Sequence, residues 1–225
     1  MSETDSFIDE VTEEVRRDKL FAVFRKYGWI GILAVLLIVG GAAYSEWQKA
    51  RSRAAAESFG DAVLAALGAD DPAARVAALD SIAAVAVDGT AGAAVRRAVT
   101  QLLAADEALK AGDRAGALNR LEALVEAAGL PDEYRQLARL KAVILAGSSM
   151  EPVARDAALA ELAQPGAPFR ALAMEQQAVA LMADGRTDEA IARAREVLQE
   201  PDATPGLQRR VVQLIVALGG EPDAG

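Results

Sequence analysis

The residues with the chemistry to act as a catalyst are few and stand in small groups. Asp70-Asp71 and Asp188-Glu189 are adjacent acids of the kind general acid–base catalysis uses, and Ser148-Ser149 follows Gly147 where a nucleophile could sit. Their surroundings point elsewhere. Asp70-Asp71 precedes Pro72, a place where a carboxylate caps a helix, and Asp188-Glu189 falls in a first helical turn, where the dipole favours acids. No Lys stands at the spacing of a serine–lysine site, and neither a Gly-x-Ser-x-Gly elbow nor a glycine-rich phosphate loop occurs. The chain has no cysteine and no histidine, which removes thiolate and imidazole catalysis, disulfides and the usual N/S zinc sites. The expectation is a protein that is not an enzyme, with no catalytic, cofactor or metal residues and no small-molecule substrate. Against 33 acids there are 24 bases, a net charge of −9, so nucleic acid is not an expected partner either.

The elements that carry these residues follow from composition. Of the 225 residues, 52 are alanine, the best helix former, and only 4 % are aromatic, so many close-packed helices are favoured over sheets. Eight of the ten aromatics fall in the first 59 residues, which sets the two ends of the chain in different solvents.

Residues 27–45 read YGWIGILAVLLIVGGAAYS, nineteen positions without a charge, and a helix needs about 20 apolar residues to cross a bilayer. Trp29 and Trp47 lie 18 residues apart, about 27 Å along a helix, so one indole reaches each interface with Tyr27 and Tyr44 beside them. Arg25 and Lys26 close the segment at one end. These six residues, Arg25, Lys26, Tyr27, Trp29, Tyr44 and Trp47, are the expected interface anchors. A buried helix of a soluble core and a signal peptide cut after Gly41-Ala42-Ala43 are the competing readings. The 26 preceding residues carry seven acids, unlike a short basic leader, and the span runs without a breaker into SEWQKARSRAAAE, as a retained anchor does. Residues 12–26 hold five Lys/Arg and residues 46–60 hold three, which favours a cytoplasmic N-terminus and a domain across the membrane, the periplasm of a bacterium. The expected layout is a cytoplasmic tail over 1–26, a transmembrane helix over 27–45 and a periplasmic domain over 46–225.

In the tail, Ser6 to Asp9 has the form of a capping box, and Phe7, Ile8, Val11 and Val15 recur at helical spacing opposite acids. That pattern predicts a short amphipathic helix, either solvated or docking a cytoplasmic protein.

Residues 46–225 carry 19 bases and 26 acids and are cut by Gly/Asp/Pro turns into segments of about 12 to 20 residues with helical period. Nine helices and no strand are expected. Lys110 to Leu121 and Met182 to Ala194 share one grammar: a helix, a Gly/Asp turn, then a second helix opening with charge and small residues. Gly ends the first helix in the left-handed region, Asp113 or Thr187 can cap the second, and Ala117 or Ala190 lets the axes approach. Each pair leaves an apolar face that the next covers, the logic of a helical solenoid.

On these residues the sequence resembles the tetratricopeptide family. The small residues expected to open each second helix, Ala77, Ala117, Ala157 and Ala190, are 40, 40 and 33 residues apart against a family period of 34, and Ala105, Ala108 and Ala178 take the small positions of first helices. The pairs at about 94–128 and 168–200 match better than the others, and 204–218 reads as a terminal cap. The fold class expected is all-α, a single transmembrane helix followed by a degenerate tetratricopeptide-like hairpin solenoid. Solenoids bind partners in a groove lined by first helices, where Asp106, Lys110 and Glu175 are the candidates.

The full layout, from FIDEVTEEVRRDKL through the span and SEWQKARSRAAAE to AQPGAPFRALA, resembles the YfgM-type family of single-pass inner-membrane proteins. The resemblance implies an ancillary subunit of the SecYEG translocon whose periplasmic domain works with a PpiD-like chaperone on secreted proteins. A structural scaffold of an envelope complex, or a regulator acting through the tail, are the alternatives.

Overall fold

The computed structural model describes the backbone of residues 3–85 and 91–222 and the side chains of Lys26, 29–85 and 92–222. Among the described residues there are nine α-helices, one 3-10 turn at Gly147–Ser149 and no strand. The helices are α1 (Glu3–Leu67), α2 (Pro72–Val85), α3 (Ala91–Lys110), α4 (Arg114–Val125), α5 (Asp132–Ala146), α6 (Pro152–Leu162), α7 (Arg170–Ala183), α8 (Thr187–Leu198) and α9 (Pro205–Ala217). They form two compact units, Met1–Asp61 and Ala62–Gly225.

In the first unit α1 is already helical at Glu3. Ser6 therefore lies inside the helix, and the capping box expected there does not open it, because the free N–H groups of the first turn are upstream. The tail's apolar stripe and the anchors Arg25 and Tyr27 lie outside the described side chains. From Trp29 the helix is long and apolar enough to cross a membrane, with a mean hydropathy of 1.7 over its most apolar window and none of that window buried. A helix buried in a soluble core would be covered along this stretch; here Ile32, Leu36, Leu37 and Ile38 are all exposed. Past this stretch Tyr44 and Trp47 pack at a tilt of 38° with ring centres 5.9 Å apart, and the Arg51 guanidinium sits 5.5 Å over the Trp47 ring.

The second unit is a run of helix pairs, each helix packing chiefly on its neighbours in sequence. α2 packs on α3, with Ala66 at the end of α1 joining Leu79 and Ala104 in a small cluster there; α3 pairs with α4, α5 with α6 and α7 with α8, and α9 closes the series. From α3 onward every first helix ends on a glycine in the left-handed region: Gly112 at φ +83°, Gly147 at +53°, Gly185 at +76° and Gly219 at +81°. Three of these ends share one bond, in which the residue after the glycine donates its N–H to a carbonyl five residues back: Asp113 to Ala108 at 2.8 Å, Arg186 to Leu181 at 2.9 Å and Gly220 to Ile215 at 2.9 Å.

Two second helices start as the sequence suggests and one does not. Asp71 and Asp113 cap α2 and α4, accepting from Ala74 N–H at 3.1 Å and Gly116 N–H at 2.8 Å. Thr187 does not cap α8; it is the first helical residue, and Arg186 ahead of it makes no side-chain cap. The small-residue register is also only half right. Ala117 and Ala190 are fully buried, whereas Ala77 and Ala157 are exposed and Leu79 and Leu159 take the inward position. A leucine buries far more apolar area than an alanine, so α2 and α6 turn their Leu stripe to the core.

The core is built of Ala, Leu, Val and Ile with one Met, and the helices approach closely at Ala98, Ala105, Ala108, Ala138, Ala173 and Ala178. Such small contacts leave the loops little apolar area to pack on, and arginines tie them down instead. Arg75 donates to the Ala69 and Asp70 carbonyls, Arg114 to Leu145, Arg170 to Ala163 and Arg195 to Glu221.

Candidate protein-binding face

The first helices α3, α5, α7 and α9 place one charged side chain each at equivalent positions. Asp106, Lys141, Glu175 and Arg210 follow one another at 35, 34 and 35 residues and alternate in sign. Two cross-helix pairs result: Lys141 Nζ donates to Asp106 Oδ1 at 2.7 Å, and Arg210 grips both oxygens of Glu175 at 2.8 and 2.9 Å. The fork and the carboxylate match in shape, and the bond to Glu175 raises the affinity of the Arg210 guanidinium for its proton.

The three candidates from the sequence thus differ in setting. Asp106 is partly exposed and holds Lys141. Lys110 is exposed, 2.5 Å from Glu107. Glu175 is buried, with its carboxylate filled by Arg210. Sequence reasoning missed Lys141, Arg210 and Glu107. The first two were readable as charges of opposite sign one repeat away from Asp106 and Glu175. Glu107 had no such signal, since its role is set by Arg75 arriving from another helix pair.

Glu107 is the most enclosed acid on this face, 4 % exposed, and takes Lys110 on Oε1 and Arg75 on Oε2, the latter at 2.7 Å. The Lys110 bond holds its carboxyl below the ordinary glutamate range; burial pushes the other way and is outweighed once the Arg75 bond is added. Among the second helices, Asp80 on α2 receives Arg120 of α4 at 2.7 Å and Gln101 of α3 at 3.0 Å. Burial tends to raise its carboxyl, and these two bonds with the Arg120 charge bring it below the usual value.

The charge ladder breaks between α5 and α7. Lys141 and Glu175 are each committed to the other neighbour, and among the described residues no salt bridge joins these two helices. One to two turns further along lies a cavity of about 310 Å³ between α5, α6 and α7, whose walls include Val143, Ile144, Met150, Leu159, Val179 and Ala180. A smaller one of about 220 Å³ lies across Ala180 and Asp184, reaching Asp156 and Arg193. α6 is eleven residues, the shortest of the nine helices, and it leaves the ends of α5 and α7 partly uncovered, with Ile144 half exposed.

One residue of each group that could have done chemistry is otherwise engaged. Asp71 caps a helix, Glu189 accepts from Arg186, which holds its carboxyl low, and Ser149 donates to the Ala146 carbonyl at 2.6 Å.

A family match decides what kind of stack this is: the tetratricopeptide repeat-like domain matches residues 24–216. The chain belongs to that family. The match covers most of both compact units, and the family's fold is a protein-binding one, so the partners of the repeat face are proteins in general terms. No curated protein and no solved structure matches the chain.

Proposed function

We propose that the protein is a membrane-anchored, non-enzymatic protein-binding module, ancillary to the SecYEG translocon and to periplasmic chaperones of the PpiD kind in handling secreted proteins. The observation that carries the reading is one chain holding both an exposed apolar helix of spanning length and a repeat domain of a protein-binding family. Tethering confines the domain to a membrane surface and raises its effective concentration there, so a face of modest affinity still captures passing chains. The resemblance to the YfgM type and the Lys/Arg bias around residues 27–45 support an N-terminus in the cytoplasm and the domain in the periplasm, with 46–225 as the exported part.

The alternating ladder bears on how the face works. Its charges are largely spent on holding α3 to α5 and α7 to α9, so a partner meets the exposed sides of Asp106 and Lys110, both already paired, and the seam between α5 and α7. Purification in mild detergent tests the reading: translocon subunits should co-purify. Crosslinkers at Asp106 and Lys110 should form adducts with many secreted chains. One dominant folded partner would instead favour a scaffold of an envelope complex, and loss of function on deleting residues 1–24 would favour a regulator acting through its tail.

A further inference from the structure

The seam between α5 and α7 has a more definite ligand preference than the face as a whole. We infer that its cavity receives a large apolar side chain of a partner polypeptide whose neighbouring residues are basic; this rests on the protein-binding reading above. Most of the wall is aliphatic, from Val143, Ile144, Leu159, Val179 and Ala180, with the Met150 thioether able to adapt to different shapes, and Ser148, Arg155, Gln176 and Asp184 supply its polar part. About 310 Å³ is at the bottom of the range for drug-sized ligands, roughly 300–1,000 Å³, and suits one or two side chains rather than a cofactor.

The charges at the mouth set the sign of the flanks. Arg155 is sunk to 11 % exposure and held by Asp156 at 2.9 Å and Asp184 at 2.7 Å, so the cation points inward while the acids stand out at 56 % and 34 %. Glu151 beside them is exposed and spends its carboxylate on the first N–H groups of α6. Of the nearby cations, Arg186 and Arg193 are tied to Glu189 and Glu196, and Arg114, beside Gly147, donates to the Leu145 carbonyl. An incoming chain therefore meets a largely apolar hole in which the single sunken Arg155 faces two more outward acids, a surplus that attracts Lys and Arg and repels Asp and Glu.

The test uses the full chain in lipid nanodiscs and three fluorescein-labelled short peptides. One has a Leu-Phe-Leu centre flanked by lysines, one has the same centre flanked by glutamates, and one has a serine centre flanked by lysines. The lysine-flanked apolar peptide should bind at least about tenfold tighter than either of the others. Ala180→Phe, which fills the cavity, should weaken it about tenfold, and Ile144→Ser, at a half-exposed position, about threefold. Asp156→Lys should shrink the preference for lysine flanks while leaving the dependence on the apolar centre.

Equal binding of the two flanked peptides, or binding untouched by Ala180→Phe and Ile144→Ser in variants with wild-type circular dichroism, would overturn the inference and leave the protein-binding reading standing. So would no peptide binding alongside persistent crosslinking to secreted chains. A change of oligomeric state in Ala180→Phe would assign the cavity to a second copy and equally overturn it. Loss of both peptide binding and crosslinking in the wild type would remove the function as well.

Discussion

Single residues in the repeat unit are set by how a helix ends and begins. Gly116 sits three residues after Asp113, and a methyl there would come within 2.0 Å of the Asp113 carboxylate, which now caps α4. Ala in a helix normally gains about 1 kcal/mol over Gly, and losing a cap costs about the same. Gly116→Ala should therefore be close to neutral in the wild type and stabilising by about 1 kcal/mol once Asp113→Ala has removed the carboxylate. Thermal melts of the four proteins give the answer, and additive effects would mean the clash is not felt. Glu107 makes the pH argument. Its carboxyl is depressed in the fold relative to an ordinary 4.5, so its contribution is fully present above about that pH and is lost as pH falls through the lower folded value. Glu107→Gln should flatten the acid limb of a stability–pH curve and cost about 2 kcal/mol near neutrality, since the Arg75 bond partner becomes neutral. An unchanged acid limb would show that Glu107 does not titrate with unfolding.

Pairs of helices are the scale at which the sequence was most and least legible. Helix number, the glycine stops after α3, α5 and α7 and the cap at Asp113 could be read directly, because Gly and Asp act through local backbone geometry. The inward stripe of α2 and α6 could not, since in a run such as PAARVAALDSIAAV several faces are apolar and only the neighbour decides between Ala77 and Leu79. The candidate face divides the same way: Asp106 and Lys110 were visible as charges on a first helix, while their partners depend on pairing across a repeat. The ladder gives a prediction of its own. A double-mutant cycle on Asp106 and Lys141, partly exposed, should return a coupling of about 0.5 kcal/mol, and the bidentate Glu175–Arg210 pair, with its acid buried, about 1–2 kcal/mol. Equal couplings, read from chemical denaturation, would deny the second pair its advantage of burial.

For the whole molecule, the consequence of two compact units is that solvent preference and fold stability can be changed separately. The uncharged stretch 27–45 of α1 lies within the unit Met1–Asp61, whereas the last turn of α1, with Ala66, belongs with the core of the repeats in Ala62–Gly225. Leu36 is at the middle of the expected span and exposed. A charge there costs about 2.5–3.5 kcal/mol on insertion into a bilayer, enough to shift the partition more than tenfold. Leu36→Arg should move much of the protein from the alkaline-resistant membrane pellet to the soluble fraction. The melting of the repeat domain should not change, because no residue of its core has been touched. Leu36→Val, which keeps the segment apolar, should stay in the pellet with the wild type. A wild-type chain that alkaline washing frees from the membrane would refute the anchor itself, whereas a wild type and Leu36→Arg that both remain in the pellet would place the attachment elsewhere in the chain.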